Sequence, residues 1–129
     1  MDNLAAIHKF VVDGDCAERI FEIFKSSHLV KDNWQPLEHC HMHRDFRYAD
    51  GVFRVEEKTT GSISYIADIL YFFAGRDHVY CLSEYIENGV TQSYSVDDTE
   101  GKYFVRPPKT EWELQMEEKQ RTQTKDLPF

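Results

Sequence analysis

Glycine and proline are scarce in this chain of 129 residues, which has six glycines, each standing alone, and four prolines. Isolated glycines cannot build the run of backbone amides that cradles a phosphate, and neither a GxxxxGK nor a GxGxxG pattern occurs. Cysteine is scarcer still. Cys16, Cys40 and Cys81 are odd in number, far apart and without a CxxC pair, which excludes a disulfide framework and makes a reducing cytoplasm the expected compartment. Long apolar runs are missing, so no membrane span or signal peptide is expected. Positive charge is in deficit, with 15 Lys and Arg against 23 Asp and Glu and a formal net charge of −8. An acidic body repels phosphate backbones except where its few cations cluster, so duplex binding through a broad basic patch is excluded. A protein partner with a basic surface suits this charge better.

What remains is the material of a folded domain. Apolar residues make up 41% and aromatics 14%, enough for one core. The stretch "DNLAAIHKFVV" satisfies both helical spacing and strand composition. Asp15 followed by Glu18 reads as a capping box, and Cys16, Ile20, Ile23 and Phe24 form an apolar stripe, so a helix is predicted over 15–28. From Arg44 onward the texture is β-rich. Asp50-Gly51 and Asn88-Gly89 each divide two β-rich runs and predict two hairpins. "GSISYIADILYFFAG" satisfies both periods, but its β-branched and aromatic residues favour a strand. "KYFVR" is read as a last strand. The expected class is α+β, with one or two N-terminal helices packed on a five- or six-stranded antiparallel sheet. Residues 1–106 form the predicted domain. Pro107-Pro108 closes it, and 107–129 is a helical or flexible tail, with a short helix capped by Thr110 and "TQTKDLPF" as a flexible end.

Three stretches are candidates for chemistry. In "EHCHMHRD", the alternation of His39, His41 and His43 puts the three imidazoles on one side of an extended strand, where they are candidate zinc ligands with Glu38 and Asp45 as added oxygens. Same-side neighbours on one strand stand roughly 6.5–7 Å apart, a poor fit to one ion. Cys40 lies between two histidines but points away from both, so it makes no Cys–His dyad. No nucleophile elbow is present, and the chain is read as non-catalytic without a required cofactor. The strand tyrosines, Tyr80, Tyr85 and Tyr94 among them, are candidates for stacking the bases of single-stranded DNA.

The third stretch is the tail. Phe129 joins a ring to a terminal carboxylate, Pro128 biases Leu127 toward an extended form, and Asp126 adds charge. Such an end suits an apolar pocket rimmed by Arg or Lys on a protein partner. "Asp-Leu-Pro-Phe" resembles the acidic tip of bacterial and phage single-stranded DNA-binding proteins. The resemblance covers four residues and departs from the family at Thr124 and Lys125, where further acidic residues are usual. It implies a bacterial or phage accessory protein of DNA replication and repair. Asp126, Leu127, Pro128 and Phe129 would dock on genome-maintenance proteins, and the body would itself be a candidate single-strand binder. Two other readings stand beside it. One is an acidic inhibitor or immunity-type protein that neutralises a basic target; the other is a small-ligand or metal-binding domain using His39, His41 and His43.

Overall fold

Asp50 and Gly51 take φ values of 55° and 78°, and Asn88 and Gly89 take 54° and 81°. Two successive positive φ angles are the requirement of a type I′ turn, whose twist matches that of the strands it joins. Both predicted hairpins therefore form. A computed structural model of the chain describes residues 4–26, 35–37 and 40–125, with the backbone alone for 35–37, 40–42, 124 and 125.

Along the chain run β1 (Leu4–Val12), α1 (Ala17–Ser26), β2 (Gln35–Leu37), β3 (Cys40–Ala49), β4 (Val52–Thr60), α2 (Ala67–Ala74), β5 (Val79–Glu87), β6 (Val90–Asp97) and α3 (Glu111–Lys125). The strands make one six-stranded sheet in the order β2-β3-β4-β1-β5-β6, with every pairing antiparallel. From β1 through α1, β3, β4 and α2 to β5 the connectivity is the split βαβ of ferredoxin-like arrangements. A strand is added at each edge, β2 on one side and β6 on the other. The α+β class and the antiparallel sheet are as expected from the sequence.

The core lies between one face of the sheet and the helices α1 and α2. Phe10 and Val12 of β1, Phe53 and Val55 of β4 and Val79 of β5 meet Ile20 and Phe24 of α1 and Ile66 and Leu70 at the start of α2, all buried. Phe24 and Phe53 contact edge to face with centroids 5.1 Å apart, and Phe21 stacks on Tyr48 at 5.6 Å. Aromatic pairs in these geometries add about 1 kcal/mol beyond the area they bury.

The structure settles one open reading and corrects four local expectations. "LAAIHKFVV" is strand β1, at the centre of the sheet, because pairing on both sides satisfies its backbone in a way an isolated helix cannot. Helix α1 begins at Ala17, and Asp15 makes no cap; its first turn is closed by backbone bonds, Ala17 N–H to the Gly14 carbonyl at 3.2 Å and Ile20 N–H to that of Cys16 at 3.0 Å. The segment read as a strand after Gly61 is helix α2. Ser64 Oγ accepts from the N–H groups of Ile66 and Ala67, and Ile66 and Leu70, four apart, take the core side while Phe72 and Phe73 point outward. Helical spacing of two buried residues, fixed by a serine at the entrance, overrode strand composition.

"KYFVR" is not a strand. It lacks a ladder and is held instead by side chains, as described below. Thr110 does cap α3, in a reciprocal box with Glu113: Glu113 N–H donates to Thr110 Oγ1 at 3.2 Å and Thr110 N–H to Glu113 Oε1 at 3.1 Å. The helix then runs to Lys125, so residues 122–125, read as part of a flexible end, are helical.

Candidate functional site

Residues directly opposite each other in an antiparallel ladder share a face, and register therefore arranges the surface away from α1 and α2 in rows across the strands. Arg47, Arg54, Val11 and Tyr80 form one row; Asp45, Glu56, Lys9 and Leu82 the next; His43, Lys58, Ile7 and Glu84 the third. Across the β3–β4 hairpin like charges face like, arginine with arginine and aspartate with glutamate. Along each strand the sign alternates. Lys58 Nζ reaches Glu56 Oε1 at 3.8 Å, but neither Arg47 nor Arg54 forms an ion pair with any described residue. Both arginines are exposed. A groove of about 240 Å³ runs over the first two rows, bordered by Lys9, Asp45, Arg47, Arg54, Glu56 and Phe104.

Phe104 reaches the groove because two aspartates hold the segment after β6. The Asp98 carboxylate, buried, accepts from the backbone N–H groups of Lys102, Tyr103 and Phe104 at 2.9, 2.7 and 2.8 Å. Asp13, at the end of β1, accepts from Lys102 Nζ at 2.8 Å and Tyr103 Oη at 2.9 Å, and its other oxygen lies 3.1 Å from His78 Nδ1. Burial alone would push both carboxyls up. The donated hydrogen bonds prevail, and each lies below its ordinary value. Gly14, at φ 86°, lets the chain turn beneath this cluster, since a Cβ there would stand 2.9 Å from the His78 ring.

The structure separates the three candidate tyrosines. Tyr85 is on the helix-covered face beside His8, with ring centroids 6.1 Å apart. Tyr94 is on the open face, its hydroxyl on Glu84 at 3.3 Å, at the far edge. Tyr80 lies in the arginine row but packs edge on against Tyr103 at 4.9 Å, and Lys102 Nζ lies 5.7 Å from the Tyr80 centroid and 5.5 Å from the Tyr103 centroid. Its ring is thus engaged within the fold. Of the histidines, His43 is half-buried on β3, His41 is described by its backbone alone, and His39 lies outside the described residues. Among the described residues no group of three or more His, Cys, Asp or Glu side chains is placed to hold a metal ion. Asp126, Leu127, Pro128 and Phe129 also lie outside the described residues.

A second polar cluster is enclosed beneath the helices. Cys81 Sγ lies 3.4 Å from Ser83 Oγ, which lies 2.7 Å from His8 Nδ1. Beside it, Arg44 Nε donates to Glu57 Oε2 at 3.0 Å with both side chains buried, and Tyr65 N–H donates to Glu57 Oε1 at 3.1 Å. Thiol, hydroxyl and imidazole in sequence have the residue types of a nucleophile relay. Burial, however, pushes the Cys81 thiol up and the His8 imidazole down, the opposite of what an activated pair requires. The cluster reads as core polarity that is satisfied in part: His8 Nδ1 meets Ser83, while His8 Nε2 is buried with no hydrogen-bond partner among the described residues.

The arginine pair and Phe104 were not among the residues singled out from the sequence. The pair was within reach: a two-residue turn at Asp50-Gly51 makes 47 and 54 partners by counting outward. Phe104 was not, because its position depends on an aspartate whose three acceptor contacts have no sequence pattern. No protein-family model matches the chain, and no curated protein or solved structure is detectably similar to it.

Proposed function

We propose that this chain is a non-catalytic accessory protein of bacterial or phage DNA replication and repair, which docks on a genome-maintenance partner through Asp126, Leu127, Pro128 and Phe129. The observation that carries the reading is the way α3 leaves the domain. Its first turn is fastened: the Thr110 hydroxyl donates to the Gln92 carbonyl on β6, and Arg106 pairs with Glu113. Beyond that turn the packing fades, and from Glu118 to Gln123 every residue is exposed. From Glu117 onward α3 is polar on every side, and such a stretch is a spacer rather than a core element. At 1.5 Å per residue its 15 residues span roughly 22 Å, enough to hold a short binding segment away from the acidic body.

The test is capture of partners from bacterial extract on the immobilised chain, with and without residues 126–129. The captured proteins are identified, and a synthetic peptide ending in Asp-Leu-Pro-Phe is added as competitor. The expected result is capture of DNA-metabolism proteins that is lost on deletion or on Phe129→Ala and displaced by the peptide, with the melting temperature unchanged. Capture indifferent to both deletion and peptide overturns the reading. It would leave the inhibitor-type alternative, in which the body itself meets a basic target.

A further inference from the structure

We infer that the groove on the open face of the sheet is a binding site for a nucleoside phosphate, either free or as one unit of a single strand. The phosphate is held between Arg47 and Arg54, the base lies against Phe104, and a base amine donates to Asp45 or Glu56. The inference stands on the sheet and is independent of the tail.

Two guanidinium groups face each other across the β3–β4 hairpin, exposed and without an ion pair among the described residues. Like charges placed directly opposite destabilise a hairpin, so the fold gains nothing from the arrangement. Two planar forks that line one groove match the oxygens of a phosphate, to which each can donate twice. Arg54 is also steadied, its guanidinium carbon 5.8 Å from the Tyr103 ring centroid.

The rest of the groove selects among anions. The next row carries Asp45 and Glu56, which repel a ligand that is negative throughout, such as an acidic peptide or a second phosphate. They accept hydrogen bonds from a ligand that carries its own donors at that end, as the amino groups of adenine, guanine and cytosine do. Phe104 adds a half-buried ring at the groove wall, and the three backbone hydrogen bonds to Asp98 keep its segment in place before any ligand arrives. Ring stacking on an aromatic side chain tolerates any base. Lys9 borders the groove as a further cation. Anion, plane and donor are the three parts of a nucleoside phosphate, and the Arg pair, Phe104 and the acidic row line one groove that can meet all three.

The test titrates three probes at low salt into the full chain: deoxyadenosine monophosphate, inorganic phosphate, and a fluorescein-labelled strand of twelve deoxyadenosines. Amide chemical shifts locate the site. The monophosphate or the strand is expected to shift residues around Arg47, Arg54 and Phe104, and Arg47→Gln and Arg54→Gln are each expected to weaken binding about tenfold. Phe104→Leu weakens the nucleotide probes and leaves inorganic phosphate unaffected. Both arginines are exposed, so their variants are expected to melt no lower than the wild type in the same buffer, and a loss of binding is then not a loss of fold.

The source follows from the arms. A strand that binds far more tightly than the monophosphate, with a log–log salt slope that falls by about 0.7 for each arginine removed, identifies single-stranded nucleic acid. Equal affinities identify a free nucleotide. Inorganic phosphate binding as tightly as either nucleotide probe, indifference to both arginine variants, or no binding of nucleotide and strand overturns the inference. A chain lacking residues 126–129 is expected to give the same results, so the groove and the tail fail separately.

Discussion

Arg44 and Arg47 are three residues apart on β3 and therefore face opposite sides of the sheet. Arg44, under the helices, is buried and gives its Nε–H to a fully buried Glu57, whose second oxygen takes the Tyr65 N–H. Arg47, on the open side, is exposed and faces Arg54. The difference is one of dielectric. An ion removed from water loses several kcal/mol of solvation and persists only with a partner of opposite sign and good geometry. Two exposed like charges cost less than about 1 kcal/mol, because water screens them. A fold can therefore leave charge uncompensated on its wet face at small cost, and that charge is available to something else. On the dry face the buried pair is tied to the fold.

The sharpest way to break this comparison is to remove one partner of the buried pair. Glu57→Ala removes the carboxylate that accepts from the Arg44 Nε–H and the Tyr65 N–H, and is expected to lower unfolding stability by about 3–5 kcal/mol, read from urea denaturation. Replacing both partners with apolar residues, Arg44→Met with Glu57→Leu, is expected to restore most of that loss, since the penalty belongs to a buried charge that has lost its counter-ion rather than to the missing bond. A cost below about 1 kcal/mol for Glu57→Ala would mean that water reaches the pair and that the two faces do not differ as described.

Acid extends the comparison to the rim, where Asp13 and Asp98 anchor the segment carrying Phe104. Their folded carboxyls titrate below the ordinary value of 3.8, held there by donated hydrogen bonds against the opposing effect of burial. Depressed carboxyls contribute stability that is fully present above pH 3.8 and is lost as pH falls through their folded values. His8, lowered from 6.5 chiefly by burial, has the same sign: stability is lost as pH falls below 6.5, where the unfolded chain takes up a proton first. Stability measured against pH is therefore expected to fall in two stages on the acid side. Asp98→Asn should remove part of the lower stage at a cost of about 2 kcal/mol at neutral pH, because three backbone donors lose their ionised acceptor. A flat profile between pH 7 and 3 would contradict the assigned anchors.

How much of this was legible depends on the range of the cause. The Asp50-Gly51 and Asn88-Gly89 turns and the Thr110–Glu113 box were readable because each is a requirement of adjacent backbone, met by residues within four positions. Helix α2 was misread because seven of its eight residues, Ile69, Tyr71 and Phe72 among them, are apolar, and that texture hid the decisive Ser64 cap and the Ile66–Leu70 spacing. The strand expected at "KYFVR" failed for a longer-range reason. Tyr103 is held by Asp13, ninety positions away, and no local pattern announces such a contact. The charge rows fall between these cases. The turn fixes the register and the register fixes the rows, so Arg47 and Arg54 could be paired on paper once the hairpin was accepted, but their lack of an ion pair among the described residues could not.

That pair, which forms no ion pair with any described residue, yields the smallest change and the most diagnostic one. If Arg47 and Arg54 only repel each other in the free protein, Arg47→Gln should stabilise it, by no more than about 0.5 kcal/mol at low ionic strength. The gain should vanish as salt is raised toward 1 M, where the screening length shrinks to about 3 Å. Read from urea midpoints at two salt concentrations, this separates electrostatic relief from repacking, which salt would leave in place. A destabilised Arg47→Gln would show that the guanidinium is held by the fold after all. Stabilisation joined to a tenfold loss of nucleotide binding would show a residue that costs the free protein stability and is kept for what it holds.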